Sequence, residues 1–253
     1  MKNLVISMKI VHPASLMPAV RFVSKCRRVA FLSVALTFGW GGLNQAKAIS
    51  NGQTDTFQDG GLSNWGTGST QPVNVANGGP LGVGDRFMEL TADGSGSNGR
   101  LTVFNRAQWL GNYIAAGVNE IDVDLNNFSN VSLSIRLAFK SATFGGASGY
   151  VTTTPFSLTA NSGWQHAVFS ITPGAMTAVG GPSVFGTFFI APAEFRIINA
   201  STTGDLSGNI LVGQLGVDNI VAVPEPSSVF LFFAALGLLA GSEYIAKSLR
   251  IRK

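Results

Sequence analysis

The segment VSLSIRLAFK, residues 131–140, alternates apolar and polar side chains along most of its length. Val131, Leu133, Ile135, Leu137 and Phe139 fall on one side, and Ser132, Ser134, Arg136 and Lys140 on the other. Successive side chains of an extended chain point to opposite faces, so a period of two predicts a half-buried strand of an antiparallel sheet. NEIDVDLNN (119–127) repeats the pattern, with Ile121, Val123 and Leu125 set against Asp122, Asp124 and Asn126. Further strand candidates are DTF (55–57), RFMELTA (86–92), RLTVFN (100–105), GYVTTT (149–154), WQHAVFSI (164–171), EFRIIN (194–199) and LGVDNIVAV (215–223). Turn-forming clusters such as DGGLSN (59–64), ADGSGSNG (92–99), FGGASG (144–149) and TPGA (172–175) separate them. About nine or ten short strands with no long amphipathic helix predict an all-β fold. Its expected form is an antiparallel two-sheet β-sandwich of jelly-roll type.

Composition agrees with this reading. Charged residues make up 12% of the 253, against roughly 25% in typical soluble domains, and there are 31 glycines. No shift in composition divides residues 49–222, which are read as one domain long enough to bury a core without disulfides. The only cysteine, Cys26, lies ahead of that domain, which excludes disulfides and thiol catalysis within it. The formal net charge of +4 comes from the two ends: residues 49–226 carry six Arg/Lys and twelve Asp/Glu. An acidic middle removes the electrostatic basis for a nucleic-acid partner.

The ends read as addresses. In KCRRVAFLSVALTFGWGGLNQAKA (25–48) a basic flank precedes an apolar run from Val29 to Trp40, and Ala46 and Ala48 stand at positions −3 and −1 of a cleavage site. These are the parts of a secretory signal peptide, expected to span residues 1–48. An uncut membrane anchor is the alternative, and Met8 or Met17 is an alternative start. At the other end, AVPEPSSVFLFFAALGLLAGSEYIAKSLRIRK (222–253) sets Pro224, Glu225 and Pro226 before an apolar run, Val229–Gly241. The basic residues Lys247, Arg250, Arg252 and Lys253 close the chain. Ser227–Ala246 supplies the about 20 residues a membrane helix needs. The basic tail would stay cytoplasmic. Each proline fixes φ and biases its predecessor away from helix, leaving an accessible extended neck.

Residues 223–253 resemble a PEP-CTERM sorting signal: Pro-Glu-Pro, a transmembrane helix and a basic end. That resemblance implies an exported bacterial protein, held first at the inner membrane and processed by an exosortase. It would then be delivered to the cell surface or extracellular matrix, in association with exopolysaccharide and biofilm. An ordinary anchor that is never cut is the alternative. The segments DTFQDGGLSNWGTG (55–68) and LGVDNIVAV (215–223) resemble the first and last strands of carbohydrate-binding jelly rolls. In those folds the terminal strands lie side by side, and a structural calcium often sits near them.

Candidate sites follow from residue chemistry. Calcium needs several oxygen ligands; Asp59 and Asp218 are the candidates, with Asp55 nearby and Asp218 expected to face inward. Sugar stacking needs exposed aromatic faces; among Trp65, Trp109, Tyr113 and Tyr150, Trp109 and Tyr113 are the preferred pair, while Trp164 is assigned to the core. A glycan hydrolase would need paired carboxylates, for which Asp122 and Asp124 are the candidates, about 7 Å apart on one strand face. His166 is the only histidine after the leader, and no GxSxG, phosphate loop or Cys/His cluster occurs. The expectation is a non-enzymatic surface or matrix protein, with a secreted carbohydrate-binding module and a hydrolase as alternatives.

Overall fold

A computed structural model describes residues 48–224, apart from residue 69, residues 97–98 and residues 142–147. The expected signal peptide, apart from Ala48, lies outside the described residues. So do Glu225, Pro226, the apolar run and the basic residues Lys247, Arg250, Arg252 and Lys253. Among the described residues no helix is long and apolar enough to cross a membrane.

Thirteen strands and two single-turn helices follow one another along the described chain. The strands are β1 (Thr54–Asp55), β2 (Trp65–Gly66), β3 (Val73–Val75), β4 (Phe87–Asp93), β5 (Thr102–Asn105), β6 (Val118–Asn127), β7 (Leu133–Lys140), β8 (Gly149–Thr152), β9 (Phe156–Leu158), β10 (Trp164–Ser170), β11 (Met176–Val179), β12 (Glu194–Asn199) and β13 (Val212–Pro224). The helices are α1 (Tyr113–Ala116) and α2 (Phe185–Phe188). Every strand pair is antiparallel. A six-stranded sheet runs β10-β6-β13-β4-β3 with β1 paired to β13, and a seven-stranded sheet runs β11-β8-β7-β12-β5-β2 with β9 paired to β7. The chain is thus an all-β, two-sheet sandwich, and its first and last strands are neighbours, Thr54 opposite Val221.

The alternation that predicted β6 and β7 fills the core between the sheets. Ile121, Val123 and Leu125 from one side and Leu133, Ile135, Leu137 and Phe139 from the other are at most 1% exposed. Each such side chain contributes about 1.5–3 kcal/mol by leaving water. Two sequence expectations change. Val131 lies outside β7 and is 42% exposed. Arg136 and Lys140, expected on a solvated face, are buried. The outer side of the seven-stranded sheet is covered: Leu206 packs there on Ala138, Val151, Ile198 and Ala200. Arg136 survives this burial by donating to the carbonyls of Ala200, Thr152 and Thr153. Glu194 holds both Arg106 and Arg196. The short strands β2, β3, β9 and β11 were not anticipated, and β13 runs through Val223 to Pro224, two residues past the boundary drawn at residue 222.

A buried carboxylate ties the sheets together. Asp55, on β1 of the six-stranded sheet, accepts the indole N–H of Trp65 at 2.7 Å and that of Trp109 at 2.6 Å. Trp65 belongs to β2 of the seven-stranded sheet, and both rings pack on Phe195 of β12. Removing the acceptor would orphan two buried donors. Asp55→Ala is expected to lower the unfolding free energy by about 3 kcal/mol, from hydrogen bonds to a charged group worth roughly 1.5–3 kcal/mol each. Denaturant titration followed by tryptophan fluorescence measures this loss.

Candidate functional site on the open sheet face

The two sheets differ on their outer sides. Leu206 closes the seven-stranded one, whereas strand register places a row of half-buried polar side chains on the outer side of the six-stranded one. On β6, Glu120, Asp122, Asp124 and Asn126 point away from the core residues Ile121, Val123 and Leu125. On β10 the opposite residues are Ser170, Val168, His166 and Trp164. On β13, Gly216 lies opposite Asn126 and Asp218 opposite Asp124.

At one end of this face sits an aromatic group. Trp164 meets Phe87 edge-on at 5.2 Å and Phe128 edge-on at 6.4 Å. Its indole N–H donates to the carbonyl of Gly78 at 2.8 Å, leaning it against the segment before β4. Gly216 forms the floor: a Cβ there would lie 2.9 Å from both Trp164 and Phe128, so only glycine lets these rings settle on the sheet. Trp164 is half-buried rather than in the core, which corrects its sequence assignment. The strand sits at the sheet edge and the ring lies on the outer side.

Beside the rings lies an ion cluster. The His166 Nδ1 is 2.9 Å from Asp124 Oδ1, and its Nε2 is 3.5 Å from Asp122 Oδ2. The Asn219 amide donates to the other oxygen of Asp124 at 2.8 Å. Asn219 takes φ +47° where β13 slips register after Asp218, which carries its side chain toward β6. The hydrogen bond to Asp124 raises the His166 pKa above 6.5, with burial opposing and the charges of Asp124 and Asp122 assisting. Burial, together with the charge of Asp122, also raises Glu120, and burial raises Glu89 on β4. Asp122 and Asp124 are thus bridged by one imidazole.

Asp218 is wholly buried, and its Oδ2 has no hydrogen-bond partner. Its register partner Asp124 assigns it to the outer side, contrary to the inward orientation expected from sequence. Burial, then the charges of Asp85 and Asp124, push its pKa up to about 7 against the pull of the Asn219 N–H. Asp59 is not among the charges acting on it; that residue stands in an exposed turn and accepts from the Gly61 N–H at 2.8 Å. Asp85 is occupied by the Gln58 amide and the Leu81 N–H. Among the described residues no three His, Cys, Asp or Glu side chains gather to hold a metal ion. The residues fit a cation only through the free oxygen of Asp218. A groove of about 410 Å³ runs beside it between Gln58, Asp85 and Asn219. Leu81 and Val83 stand fully in solvent on its lip, 87% and 99% exposed.

The other sequence candidates are placed inside. Trp109 is fully buried on Asp55, and Tyr113 is 1% exposed, its hydroxyl donating to the Trp109 carbonyl at 2.7 Å. Tyr113 also packs edge-on against Phe139 and Phe189. Neither presents a ring to a sugar, which corrects the expected stacking pair. Their loop closes onto the core because the Trp109 indole has a buried acceptor. Trp164, Phe128 and Asn219 were missed as site residues. The strand position of Trp164, on the same side as His166 in the alternation of 164–170, was the available signal.

No family model matches the chain, and no curated protein matches it. Solved structures are similar in fold. A family 11 carbohydrate-binding module from Clostridium thermocellum, in complex with a β-1,3-1,4-mixed-linked tetrasaccharide, shares 16% identity over 70% of this chain and 98% of its own, at a TM-score of 0.44. A non-crystalline cellulose specific module of family 28 shares 12% identity over 71% and 96%, at 0.42. An exo-β-agarase shares 12% identity over 70% of this chain and 25% of its own, at 0.49.

The His166 shift has a fixed sign. A histidine whose folded pKa is raised contributes stability that is complete below the unfolded value near 6.5 and is lost as pH rises through the higher folded value. NMR titration of the ring is expected to give a midpoint above 6.5 that falls in Asp124→Asn; an unchanged midpoint would contradict the pairing.

Proposed function

We propose that the sandwich is a non-catalytic polysaccharide-binding module whose ligand lies along the outer face of the six-stranded sheet. The observation that carries this is the juxtaposition of Trp164 and Phe128 with Asp122, Asp124, His166 and Asn219 on one uncovered face. Sugars offer apolar C–H faces rimmed with hydroxyls. An aromatic ring serves the first and carboxylate, amide and imidazole groups serve the second, while a few well-placed polar groups fix orientation. A sheet face suits an extended chain because its side chains repeat at regular intervals. Catalysis is not part of this reading. Structural calcium remains a proposal that rests on Asp218 alone; a divalent ion there would give the orphaned oxygen a partner and draw its pKa down.

We further infer, from the tail sequence, that the module is exported and sorted. The resemblance of residues 223–253 to a PEP-CTERM signal supports an exosortase and the membrane as its processing partners. Delivery to the cell surface or extracellular matrix and association with exopolysaccharide follow from the same resemblance.

Affinity electrophoresis through gels carrying soluble glycans tests the first reading. Trp164→Ala is expected to weaken retardation by about tenfold, about 1.4 kcal/mol, the scale on which truncating a buried aromatic anchor costs binding, while Trp109→Ala lowers stability instead. Unaltered retardation of Trp164→Ala would contradict the site. For sorting, a chain ending at Pro224 is expected to fold yet fail to reach the envelope fraction that holds the full-length protein. Identical fractionation of the two would refute that reading.

A further inference from the structure

The two single-turn helices build an apolar end on the sandwich. A groove of about 570 Å³ opens there, and its lining includes Ile114, Ala116, Ile171, Pro173, Phe185 and Pro224. Ile114 on α1 is 52% exposed, Val184 just before α2 is 74% exposed, and Ile190 just after it is 49% exposed. These side chains stand on a fixed base. The Tyr113 N–H donates to the Phe189 carbonyl at 2.9 Å, which ties α1 to the segment after α2. Phe185 packs on Tyr150 and Phe189, with ring centroids 5.6 and 4.4 Å away. Apolar groups held out to water on a rigid framework mark a contact surface.

Charge and chain reach indicate what covers it. Residues 49–54, 107–119, 171–193 and 219–224, which meet at this end, contain no Asp, Glu, Lys or Arg. Residues 49–226 as a whole carry twelve Asp/Glu against six Arg/Lys, so an anionic lipid surface repels the rest of the domain but not this end. The first charged residue of β6 is Glu120, opposite Val223 and on the outer side of the sheet. The last strand delivers the chain to the same place, since Pro224 ends β13 and lines the groove. Only residues 225–228 separate Pro224 from the apolar run Val229–Gly241. Those five Cα steps reach at most about 18 Å. The groove has the size of a small-molecule site and cannot cover that whole run, whereas a bilayer can.

Resting on the reading of Ser227–Ala246 as a membrane segment, we propose that this end of the sandwich is a bilayer-docking face. Ile114, Val184, Phe185 and Ile190 enter the headgroup region, and the acidic strand faces stand clear of it. An apolar face of this kind sinks roughly 5–10 Å into the interface, which the short tether permits. Docking also orients the proposed glycan face. Gly216, the floor beneath Trp164, lies eight residues before Pro224 on β13. At roughly 3.3 Å per residue the indole is held about 26 Å from the docked end. The polar row then runs away from the lipid, with its aromatic group outermost.

The test uses the full chain carrying Cys26→Ser, with one cysteine introduced by Ile114→Cys, Val184→Cys, Val212→Cys or Ala235→Cys and labelled with a fluorophore. Ile114, Val184 and Val212 are exposed, so these changes leave the fold intact. Each protein is reconstituted in phosphatidylcholine vesicles that carry a nitroxide quencher on the upper acyl chain. Val212 begins β13 at the end opposite Pro224 and serves as the reference for a surface away from lipid. The label at position 235 reports insertion of the apolar run. Labels at positions 114 and 184 are expected to lose at least about half of their emission, as the label at 235 does, because interfacial burial brings them to the quencher. The label at 212 keeps its emission, and adding Val184→Asp restores emission at 114 while 235 stays quenched. Quenching at 235 with emission retained at 114 and 184 would overturn the docking face and leave the membrane tail standing. Emission retained at all four positions would overturn both. Shielding of the 114 label that grows with protein concentration in detergent, without vesicles, would overturn the bilayer as occupant in favour of a second copy.

Discussion

The Asp55 carboxylate receiving two indole N–H groups is the contact on which the rest of the sandwich depends. It sits on a two-residue strand at the edge of one sheet and reaches across the core to Trp65 on the other and to Trp109 in the loop before α1. A buried carboxylate is tolerable only when donors surround it, and these two donors are also the largest apolar groups in their region. The polar bond and the packing of both rings on Phe195 therefore enforce one another. A chain without cysteine in its folded part fastens its first strand in this way.

That internal use of aromatics decides where function lies. Trp65, Trp109 and Tyr113 are consumed by the core, which leaves Trp164 as the tryptophan with an exposed part among the described residues. The outer sides of the two sheets then diverge. Leu206 and the arginines pack and neutralise one of them. The other keeps its polar row open, and the slip in β13 turns Asn219 into that row. Fold, charge sorting and ring placement converge on the same surface.

Much of the architecture was legible because the physics that sets it is local. Period-two alternation in 119–127 and 133–140 located the central strands of both sheets, and Gly- and Asn-rich clusters marked the turns between them. The two- to four-residue strands β2, β3, β9 and β11 were not legible, since they are too short to show a period and exist only as partners of longer neighbours. The buried Arg136 and Lys140 failed for a related reason. Whether a polar face meets water depends on a distant segment, here residues 200–210, which periodicity does not encode. Trp109 and Tyr113 were misplaced because a loop position suggests exposure, whereas an acceptor supplied by Asp55, far away in sequence, draws the indole inside. Asp122 and Asp124 could be seen to share one strand face, but only the register Asp124 opposite His166 brings the histidine to them.

The central claim is that the ligand lies on the outer face of the six-stranded sheet. Hydrogen–deuterium exchange of the full chain with and without a bound soluble glycan measures it directly. The account predicts slowed exchange across Val118–Asn127 and Trp164–Ser170, with β7 and β12 unchanged. Protection confined to β7, β12 and the segment around Leu206 would contradict it.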